Sequence, residues 1–354
     1  MTSGSVHTSG QRGSHKDLVP QVLSEYGARA RALLFDYLPD AEPRQHLYDL
    51  LGDYPRRGGR AFRPSLCIAT AKAFGARLED ALQTAVSIEM MHNAMLIHDD
   101  IEDESEMRRG KPALHVSEGV PIALNVGDML SLLAMRPLID NQNTLGPRLA
   151  MRLVEETERM ARESAEGQAM ELGWRRGNTM TVRQEDYLEM VLKKTCWLAT
   201  IHPARTGAII GTGDSVDLDP FIRFGFFLGA AFQIQDDLLN LIGDAKSYGK
   251  EMDGDIAEGK RTLMMIRLIE EGTPEERRRV TEILGKPRLE RTPKDVQWVR
   301  ARMDKYGCIE HAREVAHGLA GAAAHECSLL VGGLRPSRDR SFLEALPEWV
   351  IERR

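Results

Sequence analysis

Residues 89–111 read EMMHNAMLIHDDIEDESEMRRGK: an apolar run that turns into six acids and then a pair of arginines. From Leu82 onward, Ala85, Val86, Ile88, Met91, Met95 and Leu96 recur at three- and four-residue steps, the period of a buried helix. On such a helix Asp99 and Asp103 stand four apart, on one face and one turn above each other. Carboxylates there meet the negative end of the helix dipole, so stacking them is unfavourable unless a cation sits among them. A solvated acidic helix end is the plain reading of one such cluster, but the chain carries a second. Residues 224–244, FGFFLGAAFQIQDDLLNLIGD, again run an apolar helix into paired acids, Asp236 and Asp237, with Asn240 one turn on from Asp236. Two apolar helices of this kind can face each other across the mouth of a helical bundle. Their oxygen ligands suit a hard divalent cation such as magnesium, which shares its shell with waters and substrate phosphates.

The remaining periodic segments are rich in Ala, Leu, Met, Glu and Arg, and strand-like alternation is scarce. They predict an all-α protein, a single large bundle of ten or more helices over 17–354, behind a small polar tail, 1–16, expected to be disordered. In 354 residues the net charge is −6, which argues against general affinity for nucleic acid or anionic membrane. Cys67, Cys196, Cys308 and Cys327 show no paired spacing and read as reduced thiols of a cytoplasmic protein. No transmembrane segment is expected, since no apolar stretch is read as reaching the roughly 18 residues a bilayer needs, and no secretory signal core opens the chain.

Two further stretches carry chemistry. In PRRGGRAFRP, 55–64, four arginines crowd a glycine turn that opens a helix near Pro64, a place for a phosphate to dock. In YGKEMDGDIAEGKRT, 248–262, Lys250 and Lys260 bracket Asp255 in a glycine-marked loop that lacks the spacing of a calcium-binding EF-hand. No Ser/His/Asp or Cys/His set suggests a protein nucleophile.

DDIED followed by RRG, and FQIQDD followed by GKRT, closely resemble the trans-isoprenyl diphosphate synthase (polyprenyl synthetase) family, from about Gly58 to the C-terminus. The resemblance implies the isoprenoid synthase fold around a central cavity, and a homodimer. It implies Mg2+, three ions per site, on Asp99, Asp100, Asp103, Asp236 and Asp237. It places isopentenyl diphosphate on Arg60, Arg63, His92 and Arg109. An allylic diphosphate falls to Arg108, Lys194, Thr195, Lys250 and Lys260, with Gln233 beside the reacting carbon. The implied reaction is head-to-tail prenyl transfer, with Asp99, Asp103, Arg108, Lys194, Gln233, Asp236 and Lys260 as the catalytic set.

Two positions depart from the family pattern. Arg60 stands where a lysine is usual, which keeps the charge but exchanges a compact ammonium for a planar fork. Asn240 replaces the last aspartate of the second motif, leaving open whether it or Asp244 completes that metal site. Ala94 and Met95 occupy the positions that set product length and favour four isoprene units, with three, five or more still open. A class I terpene cyclase shares the implied fold but needs no isopentenyl pocket. A catalytically silent partner subunit tends to lose one acidic motif, and both remain here. An HD-type phosphohydrolase could claim His98-Asp99, but it needs further histidines spaced along other helices, and His92 is too close to serve.

Overall fold

The computed structural model describes residues 12–243 and 252–353; Lys250 and Asp244 lie outside the described residues. Helix α1, Arg12–Asp36, begins inside the stretch expected to be disordered. Val19, Val22 and Leu23 anchor it in the core, and adding a residue to an existing helix costs far less than starting one. There follow α2, Phe62–Ala73; α3, Leu78–Glu102; α4, Val120–Leu133; α5, Pro147–Arg176; and α6, Gln184–Val191. The chain continues without a break into a π-helical run, Leu192–Ile201, and α7, His202–Thr212. Then come α8, Asp219–Ile242; α9, Gly254–Glu258; α10, Leu263–Glu271; α11, Pro274–Leu284; α12, Pro293–Lys305; α13, Cys308–Val331; and α14, Arg338–Glu352. Gly307 at φ 63° divides α12 from α13, a conformation glycine adopts without penalty. The described strands, Met107–Arg108 and Lys111–Pro112, form a minimal antiparallel pair that folds two arginines back over the end of α3.

The packing explains why both acid-bearing helices are so apolar. Helix α3 lies against α4 and α2, and α8 against α13 and the π-helical run. Met90, Ala94 and Ile97 of α3 share a core with Val126 and Leu130 of α4 and with Ile234 and Leu238 of α8. A second core joins Tyr26, Leu66, Ile68, Phe221 and Leu346. Each fully buried aliphatic or aromatic side chain contributes about 1.5–3 kcal/mol.

One sequence reading is corrected here. The helical run Val120–Asn143, 24 residues with mean hydropathy 1.4, is long and apolar enough to cross a membrane by composition, and 39% of its most apolar window is buried. It passes because helix and turn segments join end to end there. Its apolar residues divide between the core (Val126, Leu130, Leu138) and the surface (Leu124, Leu132, Ile139).

Histidine 202, at the head of α7, is fully buried beside Thr157. Burial pulls its imidazole down to about 4, against a smaller opposing effect of Glu156. In an unfolded chain the group titrates near 6.5. The unfolded state therefore takes up a proton that the folded state refuses, and this histidine destabilises the fold as pH falls from about 6.5 toward 4. His202→Gln should accordingly gain stability relative to the parent over that window, by up to about 3 kcal/mol at its acid end. Urea unfolding of both proteins at several pH values checks this, and a constant difference between them refutes it.

Candidate active site

A cavity of about 630 Å³ opens between α3, α5, the π-helical run and α8, with the ends of α2 and α14 at its mouth. The two acid-bearing helices face each other across it. Helix α3 supplies His92, Met95 and Asp99, and α8 supplies Gln233, Asp236 and Asp237. The turn before α2 brings Arg60 and Arg63, and the two-stranded turn brings Arg108 and Arg109. Lys194 and Thr195 come from the π-helical run, and Asp255 and Lys260 from the segment around α9. Residues spread over some two hundred positions thus meet at one opening.

Every acid at this mouth is matched with a donor. Lys194 Nζ lies 3.2 Å from Asp99 Oδ1 and also pairs with Glu171. Burial disfavours that ammonium, yet Glu171 and then Asp99 hold its pKa above the ordinary lysine range. Asp236 Oδ1 is 2.8 Å from Arg353 Nη2, whose guanidinium also covers the Phe232 ring. Asp237 accepts from Tyr187 Oη at 2.8 Å and from Gln233 Nε2 at 2.7 Å. Gln233 Oε1 in turn accepts from Thr195 Oγ1 at 2.9 Å, so its amide is fixed at both ends. Burial, followed by repulsion from Asp255, pushes the Asp237 carboxyl well above the usual range.

Two acids expected among the metal ligands are engaged by donors of the protein itself. Asp100 points away from the cavity, accepting from Tyr54 Oη at 2.6 Å and Arg108 Nε at 2.9 Å. Adjacent helix residues are turned about 100° apart, so Asp100 cannot share the face of Asp99. Asp103, the residue that caps the C-terminal end of α3, is fully buried between Arg175 Nη1 at 2.5 Å and Lys260 Nζ at 2.8 Å. Asn240 is buried as well, and its side-chain oxygen accepts from the Asp255 backbone N–H at 3.1 Å.

On the arginine side, burial pulls the Arg63 guanidinium down to about 10, and its Nε has no hydrogen-bond partner. Arg109 donates to the Tyr54 carbonyl at 2.8 Å. Arg57 instead pairs with Asp53 at 2.5 Å. His98 reaches Asp128 at 3.3 Å.

Among the described residues no group of His, Cys, Asp and Glu is gathered as a metal cage; Asp99, Asp103 and Asp236 are paired with Lys194, Lys260 and Arg353, and Asp237 with Tyr187 and Gln233. The donor set nevertheless fits a hard divalent ion, since it offers carboxylate oxygens on two facing helices. Beside them lies Gln168 Oε1, a buried acceptor without a hydrogen bond.

Residues 44–303 match the polyprenyl synthetase family. A short chain isoprenyl diphosphate synthase of Methanothermobacter thermautotrophicus is 32% identical over 95% of this chain and 98% of its own. The chain belongs to the polyprenyl synthetase family. Its fold is shared with geranylgeranyl pyrophosphate synthetase from Pyrococcus horikoshii, at a TM-score of 0.83 and 32% identity over 96% of this chain and 100% of that one. It is shared equally with geranylgeranyl pyrophosphate synthase from Corynebacterium glutamicum, at a TM-score of 0.83 and 26% identity over 95% and 99%. That structure is complexed with isoprenyl diphosphate and magnesium.

In this polyprenyl synthetase, α5 contributes more than the sequence motifs suggested. Ser164, Gln168 and Glu171 form a polar stripe facing the cavity, and Tyr187 and Arg353 also escaped notice as site residues. The three- and four-residue spacing of that stripe was available as a signal; the long-range pairings of Tyr187 and Arg353 were not. Gly167 lets α5 approach the π-helical run: a methyl group there would fall on the Lys194 backbone nitrogen and 2.7 Å from its Cα. Gly167→Ala should therefore displace Lys194 and Thr195 and lower kcat/KM about a hundredfold, the scale of a 1 Å misplacement. Steady-state kinetics on folded protein checks this, and a loss under threefold refutes it.

Proposed function

We propose that this polyprenyl synthetase condenses an allylic diphosphate with isopentenyl diphosphate, head to tail, and yields geranylgeranyl diphosphate. One observation carries the reading: a single cavity is lined both by Arg60, Arg63, Arg109 and His92, read as the isopentenyl diphosphate set, and by Arg108, Lys194 and Lys260, read as the allylic set. A terpene cyclase acting on one prenyl diphosphate has no use for the first set.

Asp99, Asp103, Asp236 and Asp237 would hold Mg2+, three ions per site, which supplies neutralisation of the charge building on a departing diphosphate. Lys194, Lys260 and Arg108 bind that group and are already oriented where the charge develops. Arg63 and Arg109 offer planar forks that suit the oxygens of isopentenyl diphosphate. Gln233, locked between Thr195 and Asp237, is held at the wall beside the reacting carbon. Met95, Leu96 and Leu198 line the bore and keep water from the allylic cation. The proton lost after bond formation passes to the released diphosphate, so no protein base is required. Met95 lines the bore, whereas the small Ala94 is buried and does not; the choice of four isoprene units is supported by the similar chains named as geranylgeranyl pyrophosphate synthetase or synthase. The exposed apolar residues Leu124, Leu132, Ile139 and Met151 support a homodimer, and the free buried cysteines suit a cytoplasmic enzyme.

The test is incubation of the purified chain with Mg2+, isopentenyl diphosphate and each allylic diphosphate in turn, followed by sizing of the product. A twenty-carbon diphosphate is expected. Release of a cyclic hydrocarbon, or no elongation from any primer, refutes the proposal.

A further inference from the structure

We infer that Arg288 and Glu258, which belong to no recognised motif position, are positioning residues that set how firmly Lys260 is held before substrate arrives. The inference rests on the reading that Lys260 binds diphosphate. Lys260 Nζ lies between two buried carboxylates, 2.8 Å from Asp103 Oδ2 and 2.7 Å from Glu258 Oε2, with Asp255 at 3.6 Å. Such a lysine is a poor ligand for a diphosphate if either carboxylate holds it with full charge, because buried ion pairs are expensive to break.

Arg288, from a short turn after α11, relieves that hold. Its Nη1 is 3.0 Å from the other oxygen of Glu258 and donates at 2.7 Å to the Asp103 carbonyl. Ser105 Oγ donates to the same Glu258 oxygen at 3.3 Å. Glu258 thus shares its charge between an arginine that stays and a lysine that must be free to engage substrate. A guanidinium remains charged throughout the accessible pH range, so the sharing is constant. Three residues on, Arg291 donates to the carbonyls of Ala257 at 2.5 Å and Leu284 at 2.7 Å, which pins the backbone of the α9 segment to the scaffold. With that backbone fixed, the remaining variable is the balance of charge around the Lys260 ammonium.

This arrangement makes a prediction of sign that a merely structural Arg288 would not. In Arg288→Gln, more of the charge of Glu258 falls on Lys260, and binding of inorganic pyrophosphate in the presence of Mg2+ should weaken about tenfold, the scale of one charge-assisted hydrogen bond. In the double variant Arg288→Gln/Glu258→Gln, the competing charge is gone and affinity should return to within about threefold of the parent. Glu258→Gln alone should bind pyrophosphate as tightly as the parent or more tightly. Calorimetric titration of the full chain reads all of these without catalysis, and Arg288→Lys, which keeps the charge, should retain near-parental affinity. Should Arg288→Gln fail to fold, Glu258→Gln still decides the matter, since weaker binding there overturns the inference. So does a double variant that binds worse than Arg288→Gln. Lys260→Ala separates the underlying reading: unchanged affinity in it removes Lys260 from the site, whereas reduced affinity there with a parental Arg288→Gln overturns the positioning role alone.

Discussion

Asp99→Ala is expected to lower kcat for chain elongation by about a thousandfold, the scale on which preorganised charge stabilisers act, while the fold becomes no less stable. The two halves of this expectation come from one location. Asp99 sits in the last turns of α3, where a carboxylate opposes the helix dipole, and alanine is the better helix former. The Asp99 side chain faces the cavity, and its described ion pairs are with Lys194 and Arg108. Its loss leaves Lys194 to Glu171 and removes an oxygen ligand from the mouth. Steady-state assays with Mg2+ varied, alongside thermal unfolding, separate the effects. A loss of less than tenfold would take Asp99 out of the proposed machinery. Asp236→Ala should cost a similar factor, because Asp236 is the matching carboxylate on α8.

The second large effect concerns stability far from the chemistry. Glu156 of α5 and Arg205 of α7 form a bidentate pair, both contacts at 2.8 Å, with side chains only 2% and 3% exposed. Burial alone would raise the Glu156 carboxyl, but the Arg205 bonds hold it below its usual range. Arg205 also donates to the Leu218 carbonyl at 2.9 Å, tying the start of α8 to the same pair. Glu156→Ala strands a buried guanidinium and should cost about 3–5 kcal/mol. Glu156→Leu/Arg205→Met, which replaces the pair with apolar volume, should recover most of that. Denaturant unfolding at fixed protein concentration measures both. A single variant within 1 kcal/mol of the parent, a bound set by the ordinary range of surface substitutions, refutes the assignment.

The all-α class and the meeting of the two acidic motifs were legible because each rests on local spacing. Apolar steps of three and four residues made α3 and α8 helices, and position within the turn put Asp99 and Asp236 on their inward faces. The resemblance set Asp100 beside Asp99 among the metal ligands; Tyr54, 46 residues away, and Arg108 claim its carboxylate here. Asp103 was rightly set on the stripe, but no spacing reveals that Arg175 and Lys260 enclose it. Asn240 looked like a weakened ligand and instead holds the turn that carries Asp255. What escaped the sequence in each case is a long-range polar pairing, which leaves no periodic trace.

The lysines at the cavity mouth have a thermodynamic implication for ligand order. Diphosphate can recruit Lys194 and Lys260 only by drawing them off Asp99 and Asp103, and those same oxygens are the ones magnesium would take. Each ligand thereby vacates what the other requires. On the proposed assignment the pair should bind cooperatively, and by linkage the factor by which magnesium tightens diphosphate must equal the factor by which diphosphate tightens magnesium.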